Sequence, residues 1–398
     1  MSASNTLAAS SSARALTVAA YISFVPIGIG TVLLGPMLPT LSARWSLNYS
    51  EAGALFTAQY IASTCAVALS GLVVSVRGFR FAIKTGILLM AAGMALLLSV
   101  SKPLGILCIA AYGGGIGLAV PAANLMVAEV NPERRSATLS WLNFCWSTGA
   151  VACPFLVAVA TKAQQLWLFL ILVSGFSMLV AIGIALMPAS VVEPVVAIDQ
   201  RPKIVPLLRL KMLPFLILAA LFFIYVGTEN GFGGWVASYS KTLGDLSPAM
   251  SLMTPSFFYA ALTFGRLLAP FLLKNIDEIS LVRAGLLLAC AGTAGLLFSR
   301  GLTGVLASAC AAGLGLSYVY PITISLLSRE FGAASSRLGS VMFVLSNIGG
   351  GLLPWFVGVS SNRLGTLKAG LLIPLLGCAA MYVLYSRNWQ QPPVEKTA

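Results

Sequence analysis

The chain has 398 residues, of which 58% are hydrophobic and only 9% charged; its mean hydropathy is +0.93 and its formal net charge +13. Soluble domains carry roughly 25% charged residues, so these values exclude an aqueous globule. With no histidine and no Cys-x-x-Cys among seven cysteines, Cys/His metal sites and a disulfide framework are excluded too.

A membrane-crossing helix needs about 20 apolar residues. Such runs occupy 15–42, 51–75, 80–100, 103–128, 137–162, 166–188, 213–241, 248–273, 279–299, 302–328, 334–362 and 366–386. They are continuously apolar, without the alternation of a lipid-facing strand, so they read as helices. The expected fold class is an all-α membrane protein with twelve transmembrane helices. The first run follows a Ser/Ala-rich tail and Arg14. It is longer than the apolar region of a signal peptide, so it reads as a retained helix. The sequon Asn48-Tyr49-Ser50 falls in the first odd-numbered connection, but the short loops suit a bacterial inner membrane. Placing the even-numbered connections and both termini inside puts sixteen of the 24 Lys and Arg residues in the cytoplasm and seven outside, with Arg266 within helix 8. The positive-inside rule therefore puts both termini in the cytoplasm, and the positive charge is a topology signal, not a nucleic-acid interface.

The chain repeats at an offset of about 200 residues. Gly149, Pro154, Val157 and Val159 recur as Gly349, Pro354, Val357 and Val359. Gly115 and Gly117 in helix 4 match Gly313 and Gly315 in helix 10, and Tyr60 and Thr64 in helix 2 match Tyr259 and Thr263 in helix 8. Two pseudo-symmetric six-helix bundles are expected, residues 1–188 and 213–398, in the parallel-repeat arrangement of major facilitator transporters, whose substrate site lies between the halves. The join, 189–212, holds Pro194, Pro202, Pro206 and four basic residues, which resist a continuous helix and stay at the cytoplasmic surface.

The polar groups at depth come next in chain order. Gln59 in helix 2, Asn124 in helix 4, Asn143 in helix 5 and Asn347 in helix 11 are amides that can glue helices or bond a hydroxylated ligand. Trp146, Trp235, Tyr259 and Tyr320 offer flat faces for the C–H face of a sugar ring. Helix 7 holds Glu229, the one acid of eleven set deep in an apolar run. A charge at the bilayer centre costs roughly 2.5–3.5 kcal/mol on insertion scales, which makes it a candidate for substrate contact and proton coupling. Gly227, Gly231, Gly233 and Gly234 surround it and invite either a bending gate or close helix packing. Arg266 in helix 8 reads as a gating or structural residue near the inner face. Its span position and that of Glu229 differ in depth, so no ion pair between them is expected.

The strings GPMLPTL (35–41), EAGALFTAQY (51–60) and Tyr225-VGTENGFGGW-Val236, with Gly265-Arg266, resemble the fucose permease and glucose/galactose permease branch of the major facilitator superfamily, which includes sodium-dependent glucose transporters. Gly71-LVVSV-Arg77-Gly78-Phe79-Arg80 is similar to the superfamily's Gly-x-x-x-Asp-Arg-x-Gly-Arg signature. That implies a gating role for Arg77, Gly78 and Arg80, although Ser75 and Val76 replace the Asp-Arg pair. The resemblance implies sugar contact at Asn143, in LSWLNFCWSTGA. The branch's two acids fall at Gly35 and Val120, which leaves Glu229 as the acid available for coupling.

The expectation is a secondary transporter for a neutral hexose-like sugar, working by alternating access and coupled to protons through Glu229. Its site residues are Gln59, Asn124, Asn143, Trp146, Glu229, Trp235, Tyr259, Tyr320 and Asn347, gated at Arg77, Gly78, Arg80, Gly231, Gly233, Gly234 and Arg266. Facilitated diffusion, sodium coupling, and export of drugs or lipophilic cations are the alternatives. No cofactor or metal and no nucleic-acid partner is expected, and a monomer is. Nothing in the sequence places a nucleophile with a base, so no enzyme is expected.

Overall fold

The computed structural model describes residues 3–187, 212–243, 246–332 and 335–386. The expected join, 189–212, lies outside the described residues except for Met212. Among the described residues the fold is helical throughout, without strands. In chain order, α1 runs Ala3–Val32 and resumes as Leu34–Trp45, followed by α2 Tyr49–Arg77, α3 Phe79–Leu96, α4 Lys102–Val130, α5 Arg135–Lys162 and α6 Leu166–Ala185. Then come α7 Met212–Thr242, α8 Pro248–Leu272, α9 Glu278–Phe298, α10 Leu302–Leu316 with Val319–Phe331, α11 Ser335–Leu364, and α12 Leu367–Gly370 with Leu372–Tyr385. Eleven of these twelve units are long and apolar enough to cross a membrane. The other, α8, is 25 residues long, its apolar character diluted by Ser251, Thr254, Ser256, Thr263 and Arg266.

Three units are interrupted, each for the same reason. Proline lacks an N–H and its ring clashes with the carbonyl four residues earlier. Pro36, Pro321 and Pro374 fall four residues after Val32, Ser317 and Gly370, and the breaks follow at Leu33, at Ser317–Tyr318 and at Leu371. Pro26, Pro121, Pro154 and Pro354 are carried inside continuous helices. Helix starts are fixed locally. Asn48 and Glu51 form a reciprocal capping box at α2, and Glu51 also pairs with Lys102 at 2.6 Å. Asp277 caps α9, and the backbone N–H of Ser280 holds its carboxyl below the usual carboxylate range.

The internal repeat appears as repeated contact. A Cβ on Gly149 would strike the carbonyl of Val25, so α5 lies directly on α1; Gly349 meets Phe223 in the same way, laying α11 on α7. Gly113 abuts the Gln59 carbonyl and Gly313 that of Phe258, joining α4 to α2 and α10 to α8, while Gly115 lies on Gly86 and Gly315 on Gly285; the contacts therefore match Gly113, and not Gly115, with Gly313. Small residues let backbones approach this closely where no hydrophobic effect drives helices together. The bundles α1–α6 and α7–α12 meet along α2 with α11, α5 with α8, and the second part of α1 with α7.

Candidate functional site

Glu229 sits in the middle of α7 with its side chain 12% exposed. Its counter-ion is Arg266 on α8: an Nη of Arg266 lies 3.9 Å from the Glu229 carboxylate and also donates to the Tyr225 hydroxyl at 3.0 Å. This overturns the expectation from span depth. Helical side chains lean toward their own N-terminus, and α7 and α8 run in opposite directions. Glu229 therefore leans toward the even-numbered connections and Arg266 away from them, and the two converge. Arg266 does not snorkel. Its Nε is buried without a hydrogen-bond partner among the described residues, while its side chain stays 26% exposed.

Four phenols complete the surroundings. Tyr60 of α2, Tyr225 of α7, Tyr259 of α8 and Tyr320 of α10 all interact electrostatically with Glu229. Tyr320 is half-buried and packs on Tyr225 with ring centroids 5.7 Å apart. Tyr60 reaches across from the first bundle and donates to the Asn230 side chain at 2.8 Å, while that amide donates to the Val226 carbonyl. Tyr60, Tyr225 and Asn230 were not among the expected site residues. Tyr60 stands out in the sequence only as a partner in the repeat, and Asn230 lies about 100° around α7 from Glu229. That angle is what lets it face α2.

The expected amides divide. Gln59 is buried and spent within the first bundle, donating to the Thr31 carbonyl and accepting from Tyr112. Trp146 is half-buried with its indole N–H on Thr31. Neither presents a free polar edge to a ligand. Asn124 and Asn143 each donate only to the carbonyl four residues back, leaving an oxygen available. Asn143 is exposed and lies about 160° around α5 from the exposed Trp141, so the two leave the helix on opposite sides. Phe343, at the equivalent place on α11, is likewise exposed. Asn347 donates to Phe343 and accepts from Ser63 at 3.4 Å, bridging α11 and α2.

Toward the odd-numbered connections the seam is sealed. Gly35 of α1 lies on Gly233 and Gly234 of α7, Gly53 on Pro354 and Trp355, and Gly358 on the Tyr49 carbonyl. Trp235 is 1% exposed, donates to the Pro354 carbonyl at 2.9 Å, and packs against Tyr49 and Phe56 of α2. It is a plug in the seam, not a platform facing the interior. Tyr259 is buried with its hydroxyl against Gly233. In this state α7 is continuous through Gly227, Gly231, Gly233 and Gly234. Three of these mark close helix contact, whereas Gly231 has only ordinary contacts, near Val357 and Pro374.

The remaining gating candidates lie at the even-numbered face. Gly78 has φ 84°, a conformation that favours glycine, and makes the turn between α2 and α3. Arg77 is exposed over the Phe81 ring. Arg80 donates to the carbonyls of Ile184 and Met187 at 3.3 and 2.5 Å, tying α3 to the end of α6 within one bundle.

Comparison with known proteins agrees with this architecture. The sequence profile of the Major Facilitator Superfamily matches residues 20–354. An uncharacterised MFS-type transporter of Yersinia pestis is 22% identical over 310 residues, 78% of this chain and 79% of the relative. A D-xylose-proton symporter has a similar structure at TM-score 0.73 and 16% identity, covering 93% of this chain and 96% of its own. A fucose:proton symporter of E. coli gives 0.61 and 19%, covering 94% and 97%.

Proposed function

The chain belongs to the Major Facilitator Superfamily, a family of membrane transporters, and from that premise we propose that it carries a neutral, hexose-like sugar by alternating access, coupled to protons through Glu229. The observation that carries this reading is the Glu229–Arg266 pair, ringed by tyrosines contributed by both bundles. A carboxyl group accepts hydrogen bonds from hydroxyls, a guanidinium donates from a fixed fork, and phenol faces pack on a sugar ring. Protonating Glu229 removes its attraction for Arg266 and frees both groups for the substrate. Releasing the proton restores the pair. The neighbouring Tyr60–Asn230 bond links that exchange to the seam. Asn143, Asn124 and Tyr320 are assigned to substrate contact, and the Gly35–Gly233–Gly234 contact to the gate.

The sealed odd-numbered side fits a state open to the even-numbered side. Charge bias makes that side cytoplasmic, with the protein in a bacterial inner membrane and the halves joined through 189–212. The similar structures of a xylose–proton and a fucose–proton symporter support the sugar and the proton. Arg266 already neutralises Glu229, which counts against a lipophilic cation as cargo.

The test is uptake of labelled hexoses into proteoliposomes with and without an inward proton gradient. The gradient should drive accumulation in wild type, whereas Glu229→Gln should retain at most exchange down a gradient. Equal wild-type uptake under both conditions removes proton coupling, and a sodium gradient in the same vesicles tests the alternative. Failure of every hexose would reject the sugar.

A further inference from the structure

An open crevice of about 1010 Å³ lies between α1 and α6, away from the Glu229 site. Its floor is made of small residues, Ala19 on α1 and Gly183 on α6, and a Cβ added at Gly183 would meet nothing within 4 Å. Its walls are Val18 and Ile22 on one side and Phe176 and Leu179 on the other, all exposed apolar side chains. The lining runs from Arg14 to Ile22 on α1 and from Phe176 through the end of α6 to Met187, about 12 and 16 Å at helical rise. That matches one leaflet of a hydrocarbon core about 30 Å thick. At the mouth, on the even-numbered face, stands Arg14. It is exposed and makes no hydrogen bond or ion pair among the described residues, a contrast with nearby Arg80, which is bound to α6 carbonyls.

A cation at the membrane face above an apolar slot one leaflet deep is complementary to one kind of molecule. We propose that this crevice is a binding site for an anionic phospholipid. Its phosphate pairs with the Arg14 guanidinium, and an acyl chain lies along the groove over Ala19 and Gly183. Guanidinium matches phosphate bidentately, and basic pockets between transmembrane helices favour anionic headgroups. A zwitterionic lipid fills the same slot but gains less from Arg14, since its own cation offsets the pairing.

The experiment is native mass spectrometry of the full chain in detergent titrated with equal amounts of phosphatidylglycerol and phosphatidylcholine. Wild type should retain phosphatidylglycerol preferentially. Arg14→Ala should reduce that preference roughly five-fold, the value of one basic residue at an anionic surface, and Arg14→Lys should keep most of it. Gly183→Leu fills the groove without striking the backbone and should lower retention of both lipids while leaving the charge intact. Lys84→Ala, which removes a cation stacked on Phe81 on the same face, should change nothing. Equal retention of the two lipids by wild type, unchanged retention in both Arg14→Ala and Gly183→Leu, or an equal loss in Lys84→Ala would each overturn the proposal. None of these readouts depends on which substrate the protein carries.

Discussion

The four tyrosines around Glu229 differ in what they are tied to, and this gives them separate roles. Tyr225 is anchored by Arg266 and Tyr259 is packed on Phe258, both within the second bundle. Tyr60 alone reaches from the first bundle, through its bond to Asn230. Tyr60→Phe removes one hydroxyl from the sealed seam and leaves the ring in place. A hydrogen bond is worth about 0.5–1.5 kcal/mol net, so the sealed state should lose roughly two- to ten-fold in population. Faster alkylation of a cysteine placed at Thr57, within the seam, than in the same cysteine variant with Tyr60 intact would report it; an unchanged rate would separate Tyr60 from the gate. Asn143 has the opposite character. Among the described residues it bonds nothing beyond its own helix, so Asn143→Ala should raise the apparent substrate constant several-fold, as expected for a lost hydrogen bond to ligand, with expression unchanged. An unchanged constant takes it off the site. The burial of Glu229 was legible from sequence because an acid in the middle of an apolar run must lie at depth. Arg266 as its partner was not, because residue counts give the depth of the Cα and not the lean of two long side chains on opposed helices.

At the scale of the helix, the repeat pairs Gly149 with Gly349, and the structure puts each against a carbonyl of the neighbouring helix, Val25 and Phe223. Neither backbone can yield locally. Gly149→Ala and Gly349→Ala should each destabilise the protein by about 1–3 kcal/mol or more, the usual range for overpacking, and lower the midpoint of thermal unfolding. Gly175→Ala on α6 and Gly339→Ala on α11 meet open space. They should be neutral or stabilising by up to about 1 kcal/mol, since alanine is the better helix former. Equal effects in all four variants would remove the contact argument. The spans themselves were readable to within a few residues at most ends, because apolar length and charged ends impose them. The breaks at Leu33, Ser317–Tyr318 and Leu371 were not. Proline spacing permits a break at each, yet Pro121 and Pro154 stay helical, so tertiary packing decides which prolines interrupt. The role of Trp235 was hidden for a related reason: an indole in a glycine-rich stretch reads equally as a ligand platform or a plug until α2 is placed beside it.

Alternating access requires that the α2–α11 seam, sealed here, must part when the odd-numbered side opens. The seam is held by Thr57 donating to the Gly351 carbonyl at 3.2 Å, by Gly53 on Trp355 and by Gly358 on Tyr49, contacts that join the two bundles and not two helices of one bundle. A Cβ built at Gly351 lies 3.4 Å from the Thr57 Cα, so the two positions touch directly across the seam. Thr57→Cys with Gly351→Cys should therefore cross-link on oxidation and hold the bundles sealed on this side. Transport should stop while binding from the even-numbered side persists, and reduction should restore transport. The single variants serve as controls for the seven natural cysteines, all of which are free. Full transport by the cross-linked protein, with the bond confirmed by peptide mass, would mean that cargo crosses without this seam parting. The rigid-body motion of the two bundles would then have to give way to a local gate around Glu229.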